Sequence, residues 1–101
     1  MNFVHRWNGD YFGLFYNDAL YTKDGRHVGY RRRHEVVSLK GLYLGEVKNH
    51  RLITRTANVG KRSIGGVPML RMAVGTTVTP MNEQPLDLPA GFEDFPEPDT
   101  L

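Results

Sequence analysis

The residues best suited to binding chemistry form a basic run beside a tyrosine, Tyr30-Arg31-Arg32-Arg33-His34, in a chain of 101 residues. On an extended strand, Arg31 and Arg33 share one face and Arg32 takes the other. Neighbouring segments add more cations, namely Arg26, Lys48, Arg51 and Arg55. Aromatic side chains that could stack on bases are Trp7, Tyr11 and Tyr43. Cations interleaved with aromatic rings are typical of sheets that bind single-stranded nucleic acid, which is one interpretation of this pattern.

Two other interpretations of the basic run stay open. Charged side chains protect the exposed edge of a sheet against aggregation, and the modest formal net charge of +2 favours this role. An acidic partner is the other interpretation. Residues 1–71 hold all 13 Lys and Arg with five acids, whereas residues 72–101 hold six acids and no base, so +8 and −6 sum to +2. The acidic end would then neutralise the basic sheet of its own chain or of a neighbour.

The histidines do not form a catalytic or metal-binding pattern. They are His5, His27, His34 and His50, and the chain has no cysteine. His34 and His50 occupy equivalent turn positions, and no carboxylate lies at a spacing typical of metal ligands. Nucleophile-elbow, zinc-protease, phosphate-loop and paired-acid motifs are all missing from the sequence. We therefore predict no enzyme activity, no metal and no cofactor.

A sixteen-residue repeat builds the elements that must position these side chains. Its clearest mark is a G-x-x-x-G pair in three copies: Gly9 and Gly13, Gly25 and Gly29, Gly41 and Gly45. Apolar residues recur at the same offset in three columns: Phe12, Val28 and Leu44; Leu20, Val36 and Leu52; Tyr21, Val37 and Ile53. A fixed period of this kind means that each unit is one supersecondary structure that stacks on the next.

Each unit reads as a β-hairpin. Asn8-Gly9 and Asp24-Gly25 are typical of two-residue type I′ turns with positive φ, and Lys40-Gly41 is a weaker example. Second turns are predicted midway, at Asn17-Asp18, Arg33-His34 and Asn49-His50. The intervening runs are rich in β-branched and aromatic residues. We predict an all-β antiparallel meander with strands near residues 3–7, 10–16, 19–23, 26–32, 35–39, 42–48 and 51–55.

The glycines inside the strands, Gly13, Gly29 and Gly45, predict either a bend or the close approach of an aromatic ring from a neighbouring strand. Simple alternation places Phe12, Leu14 and Tyr16 on one face of their strand, with Tyr11 and Phe15 on the other. Both faces are then apolar. A single core is marginal in about 55 residues, so the second face needs cover. We predict a symmetric homo-oligomer, a dimer or a tetramer.

Composition divides the chain into three parts. Residues 1–56 form the repeat module, and residues 57–79 connect it to the end of the chain, with one or two strands or an oligomerisation arm expected within residues 65–79. Residues 80–101 form an acidic, proline-rich tail that is poorly suited to regular structure, although Phe92 and Phe95 can dock on an apolar surface. No secretory signal or long apolar run is found, so a cytoplasmic location without a membrane partner is expected.

Over residues 2–55 the chain resembles the small bacterial four-fold β-flower proteins. The resemblance lies in the segments NGDYFGLFYNDALYTKDGRHVGY and KGLYLGEV. The units of these proteins are similar to D-G-x-x-V-G-[YF] followed by a short x-[LV]-Y strand. The resemblance implies a compact all-β module with rotational symmetry and no established activity. PRC-barrel-type sequences show a weaker likeness in their G-x-x-V-G-x-V pattern, which the sixteen-residue period argues against. We expect a non-enzymatic, oligomeric binding or structural scaffold, with a single-stranded nucleic-acid-binding sheet as the alternative.

Overall fold

The computed structural model describes residues 2–62 and 80–101. Seven strands follow one another along the chain and an eighth comes from the tail: β1 Asn2–Arg6, β2 Tyr11–Tyr16, β3 Ala19–Thr22, β4 His27–Arg32, β5 Glu35–Ser38, β6 Tyr43–Lys48, β7 Arg51–Arg55 and β8 Phe92–Asp94. The predicted all-β meander is confirmed. Strands or an arm predicted within residues 65–79 lie outside the described residues. The helices of the described part, Thr56–Asn58 and Pro98–Thr100, are single turns far too short to span a bilayer.

The first seven strands close into a barrel-like sheet. β1 pairs with β7 in parallel through only two positions, His5 with Arg51 and Arg6 with Leu52. The remaining length of β7 pairs with β8, from Ile53 opposite Asp94 to Arg55 opposite Phe92. Because a strand edge with free N–H and C=O groups invites aggregation, sharing one edge of β7 between β1 and β8 satisfies it along its whole length.

Three glycine loops lie at one end of the barrel, which we call the glycine-turn end. In residues 7–9, the Gly9 N–H donates to the Arg6 carbonyl at 3.0 Å, and the Arg6 N–H donates to the Asp10 carbonyl at 2.8 Å. Residues 23–25 and 39–41 repeat this geometry. Gly9, Gly25 and Gly41 have φ of 97°, 84° and 83°, so their predicted positive φ is confirmed. The two-residue type I′ turns predicted there are wrong, because these are three-residue loops that need one left-handed residue.

Type I′ geometry occurs at the opposite, tight-turn end of the barrel. Asn17 and Asp18 have φ of 48° and 66°, and they connect strands whose last and first residues, Tyr16 and Ala19, are paired directly. Asn49 and His50 repeat this pattern with φ of 54° and 60°. Asn and Asp tolerate the left-handed region better than most residues, which explains their place in these turns.

A β-bulge recurs once in each repeat. Gly13 lies opposite Val4 and Tyr11 lies opposite His5, so Phe12 is the extra residue between them. Val28 and Leu44 are the extra residues of the next two bulges. Each bulge changes the face on which the following side chains lie. Phe12 and Phe15 therefore belong to the same buried cluster, whereas simple alternation had put them on opposite faces.

The glycine after each bulge permits a close approach of main chain. A Cβ atom at Gly13, Gly29 or Gly45 would collide with the carbonyl oxygen of the residue eight positions later. At Gly45 an aromatic ring also approaches, with Phe95 Cδ1 at 2.7 Å from the Cβ position. The group that lies closest to each of these glycines is thus a backbone carbonyl rather than the predicted aromatic ring.

The core contains two buried clusters. The interior cluster draws on β1 to β5, β7 and the tail, with Leu44 and Val47 of β6 packed against it: Val4, Phe12, Phe15, Leu20, Val28, Val36, Leu52 and Phe95. The second cluster, on β2–β5, consists of Leu14, Ala19, Tyr21, Tyr30 and Val37. Eight of the nine residues in the apolar columns are therefore buried within one chain and Leu44 is half-buried, so none of the columns is exposed as we had predicted. The homo-oligomer itself stays a prediction.

The tail is part of the fold. We predicted that residues 80–101 are poorly suited to regular structure, but they contribute β8 and the completely buried Phe95. The Phe95 ring meets Phe12 edge to face at 5.2 Å between centroids. This proline-rich segment is ordered because burial of an aromatic ring in the core offsets part of the conformational entropy that the segment loses.

Candidate functional site

The three aromatic residues predicted to stack on bases are buried. Trp7, Tyr11 and Tyr43 are 5%, 7% and 6% exposed, so none presents a ring face to a ligand. The Trp7 indole N–H donates to the Asp87 carbonyl at 3.0 Å, which ties the β1–β2 loop to the tail. The Tyr11 hydroxyl is buried without a hydrogen-bond partner among the described residues, and burial raises its pKa. None of the three therefore offers an exposed ring for stacking, and their part in binding stays a prediction.

Several of the predicted cations are used inside the molecule. Arg51 is 8% exposed, and its Nη1 donates to the carbonyls of Trp7 at 3.1 Å and Gln84 at 2.6 Å. Arg26 donates to main-chain oxygens of Pro98 and Leu101 at 2.8 and 2.9 Å. These guanidinium groups hold the tail on the barrel. Of the cations that neighbouring segments add to the arginine run, Arg26 and Arg51 thus donate to the tail of the same chain.

Arg55 belongs to a small polar network with Tyr43 and Glu46. The Tyr43 hydroxyl and the Arg55 Nε both donate to Glu46 Oε2 at 3.0 Å, and the Arg55 N–H donates to the Tyr43 oxygen at 2.9 Å. Burial is the main cause that raises the pKa of Tyr43 to about 12. Burial opposes ionisation of Glu46, but the two bonds it accepts outweigh that effect and lower its pKa. Glu46 is therefore held as a carboxylate, and the network is structural.

Asp94 is the main polar anchor of the tail at the glycine-turn end. Its Oδ1 accepts the N–H groups of Trp7 at 2.9 Å and Phe95 at 2.8 Å, and its Oδ2 accepts the N–H of Asn8 at 3.0 Å. The Arg6 guanidinium lies 3.9 Å from the same carboxylate and donates to the Phe95 carbonyl at 2.8 Å. Asp94 and Glu97 thus pair with Arg6 of the same chain, a residue outside the arginine run, and neutralisation of that run by the tail stays a prediction.

The arginine run reaches the tight-turn end, where Arg32 and Arg33 are exposed and Arg31 is half-buried. The Arg31 Nε donates to the Arg33 carbonyl at 2.8 Å, and its guanidinium lies 5.8 Å from the centroid of the Phe15 ring. No described residue accepts a hydrogen bond from its two Nη atoms. Arg31 is thus braced on one side and keeps donors for another group.

A cavity of about 430 Å³ opens beside Arg31 at this end of the barrel, and we call it the mouth. Its lining residues are Asn2, Phe3, Val4, Phe15, Arg31, Val47, Asn49 and His50. Val4 and Phe15 belong to the interior cluster, and Val47 packs against it. Asn49 and His50 are exposed turn residues. The mouth therefore joins an apolar floor to a polar rim with one guanidinium, the composition of a site for a small anionic ligand.

Sequence reasoning identified Arg31 but missed the rest of the mouth. A signal was present in the repeat, since Phe15, Arg31 and Val47 stand at equivalent positions sixteen residues apart. Two units place an apolar side chain there, and the middle unit places a cation. A charged residue at a repeat position that is apolar in the other units is the signal from which the mouth could have been predicted.

A second groove, of about 740 Å³, lies at the glycine-turn end and is mainly apolar; Val28, Leu39, Leu42, Tyr43, Leu44 and Leu101 are among its lining residues. Arg26 and Lys40 add charge to it. Of the candidate site residues, Tyr43 and Arg26 contribute here. The structure therefore separates the arginine run from Tyr43, placing them at opposite ends of the barrel. In the described part of the chain, no three His, Cys, Asp or Glu side chains gather as a metal site.

The comparisons with known proteins leave the family open. The predicted likeness to the four-fold β-flower proteins stays a resemblance in the repeat motif. No family model, no curated protein and no solved structure matches this chain.

Proposed function

We propose that the protein is a small non-enzymatic β-repeat module that acts in the cytoplasm as an oligomeric binding or structural scaffold. The barrel and its docked tail form the frame, and the tight-turn end is the binding surface. The observation that carries this proposal is the position of the arginine run: Arg31, Arg32 and Arg33 lie together at the tight-turn end, where Arg32 and Arg33 are exposed, whereas the buried Arg51 holds the tail.

The binding surface favours an anionic partner. Arg31, Arg32 and Arg33 supply three positive charges within one strand and its turn, and Lys48 lies at the end of β6 nearby. Glu35, which pairs in register with Arg32, offsets only part of this charge. A local excess of one charge raises the concentration of oppositely charged partners and their rate of association.

Retention on an immobilised polyanion such as heparin tests the proposal. The full chain should be retained at low salt and released as salt rises, because counterion release supplies the affinity. Changing Arg31, Arg32 and Arg33 together to Ser should abolish retention. The matched control changes Lys23, Lys40 and Lys61 to Ser, which removes the same charge from exposed positions outside the tight-turn end and should retain most of the binding. Equal loss in both variants would refute a defined surface.

Single-stranded nucleic acid is the second candidate partner. Phe3 is 39% exposed and lines the mouth with Arg31, so one ring is available for base stacking although the three predicted rings are not. Binding of an unstructured oligonucleotide should then weaken with log salt at a slope of about −2, since three cations each displace about 0.7 counterion. Phe3→Ala should weaken oligonucleotide binding without changing heparin retention. Identical behaviour of the two polymers in all variants would contradict base recognition.

A further inference from the structure

We propose that the mouth is a binding site for a small amphipathic anion, a carboxylate with a medium-length apolar chain. This inference rests on the proposed function, since Arg31 belongs to the same surface, but it names a ligand class and a cavity. The anionic group would meet Arg31, and the apolar chain would lie along Phe3 and Val47.

The repeat shows that Arg31 occupies a core position. Its equivalents are Phe15, which is 4% exposed within the interior cluster, and Val47, which packs against that cluster. A guanidinium placed at the end of an apolar column is costly to desolvate unless an anion or a set of acceptors meets it. The structure provides one acceptor, the Arg33 carbonyl at 2.8 Å from Nε. Both Nη atoms lack an acceptor among the described residues.

The bracing of Arg31 prepares it for a carboxylate. A guanidinium whose Nε is engaged still offers a pair of Nη donors, which suits the two oxygens of a carboxylate. The bond to the Arg33 carbonyl and the contact with the Phe15 ring restrict the side chain before binding. Less rotamer entropy is then lost when a ligand arrives.

The remaining lining explains why the ligand should be amphipathic. Phe3 is 39% exposed and Val47 is half-buried, so these two lining side chains present apolar surface that a fully hydrated ion would leave uncovered. Asn2, Asn49 and His50 line the cavity and offer polar groups beside the guanidinium. A volume of about 430 Å³ lies within the range that small-ligand pockets have, about 300–1,000 Å³. Acetate would fill little of this volume, whereas octanoate would extend from Arg31 to Phe3 and Val47.

Titration of the full chain with acetate, hexanoate, octanoate and octanol, followed by amide NMR, tests this site. Octanoate should shift the signals of Val4, Phe15 and Val47, and each added methylene should tighten binding by up to about fourfold. Arg31→Gln should weaken octanoate binding by about tenfold or more, because a charge-assisted contact is lost. Lys23→Gln, which removes an exposed charge outside the mouth, should leave the affinity unchanged.

Three results would overturn the inference: no shift at the mouth with octanoate, equal affinity for octanol, or an unchanged affinity in Arg31→Gln. Heparin retention is measured on the same samples. If retention persists while octanoate fails to bind, the anionic surface stands and only the mouth is refuted. If both are lost in the unaltered chain, the proposed function fails as well.

Discussion

At the scale of single residues, the packing of the barrel depends on the glycines that follow the bulges. At Gly45 two different groups leave no room for a side chain, because a Cβ atom there would meet both the Ile53 carbonyl and the Phe95 ring. Neither neighbour can move alone, since Ile53 is paired with β6 and β8 and Phe95 is completely buried. This one position therefore links the strand spacing to the docking of the tail.

Gly45→Ala should lower the free energy of unfolding by about 3 kcal/mol, at the upper end of the cost of overpacking a core. Gly91→Ala is the matched control, because no atom lies within 4 Å of its Cβ position and only its φ of 83° opposes the change. That control should cost about 1 kcal/mol. Urea unfolding of both variants gives the comparison, and an equal loss would show that Gly45 is not crowded.

The Tyr43 hydroxyl predicts an alkaline limit to stability. Its pKa is raised from 10.0 to about 12 in the folded protein, so above pH 10 the unfolded chain loses a proton that the folded chain keeps. Stability should therefore fall as pH rises from about 10 to 12. In Tyr43→Phe the free energy of unfolding should fall less between pH 10 and 12. Below pH 9 it should differ from that of the unaltered chain by a constant amount. Parallel curves up to pH 12, from urea midpoints, would contradict the raised pKa.

At the scale of elements, the tail acts as a structural strand of the barrel. The parallel seam between β1 and β7 has two paired positions, and β8 pairs with three further residues of β7. The tail also supplies Phe95 to the interior cluster and Asp94 to the N–H groups of the β1–β2 loop. An element that closes a seam and fills the core should unfold together with the barrel.

Asp94→Ala should destabilise the fold by about 2–3 kcal/mol, since a charged acceptor is removed from three N–H groups. Trp7 is the only tryptophan, and it contacts the tail through Asp87, so its fluorescence reports docking. We expect its emission to shift to longer wavelength in Asp94→Ala. The control is Glu93→Ala, an exposed neighbour in β8, which should change stability by less than about 0.5 kcal/mol. Similar effects of the two variants would refute Asp94 as the anchor.

At the scale of the whole molecule, self-association remains the open property. The columns that first suggested it are buried within one chain, but the tail presents other apolar side chains: Met81, Leu86 and Leu88 are 86%, 41% and 50% exposed. Apolar residues grouped on one exposed segment are typical of contact surfaces. These exposed side chains, rather than the buried columns, now support the proposal that the scaffold is oligomeric.

Light scattering at micromolar concentration should report a multiple of 11.5 kDa. Changing Leu86 and Leu88 to Ser should shift the mass toward a single copy, because their outward side chains would no longer bury apolar surface. Leu39→Ser provides the control, since that side chain is 49% exposed in a different part of the barrel. A single-copy mass for the unaltered chain would contradict the oligomer.

Local features of the fold were determined by the sequence alone. The sixteen-residue period located seven strands to within one residue at each end. It also identified Gly9, Gly25 and Gly41 as positions of positive φ. These features depend on turn chemistry and side-chain alternation over a few residues, which a repeat displays three times. The division of charge between the repeats and the tail likewise requires no structure.

Long-range contacts were decided only by the tertiary structure. Closure of β1 on β7, insertion of Phe95 and capping by Asp94 join residues far apart in the chain, and no local pattern encodes such pairs. The bulges had a similar effect on the site, because one extra residue per repeat changes which side chains face inward. Contacts with the tail also cover Trp7, whose indole N–H donates to the Asp87 carbonyl. Local propensity specifies strands, but the free energy of burying the whole surface selects how they close.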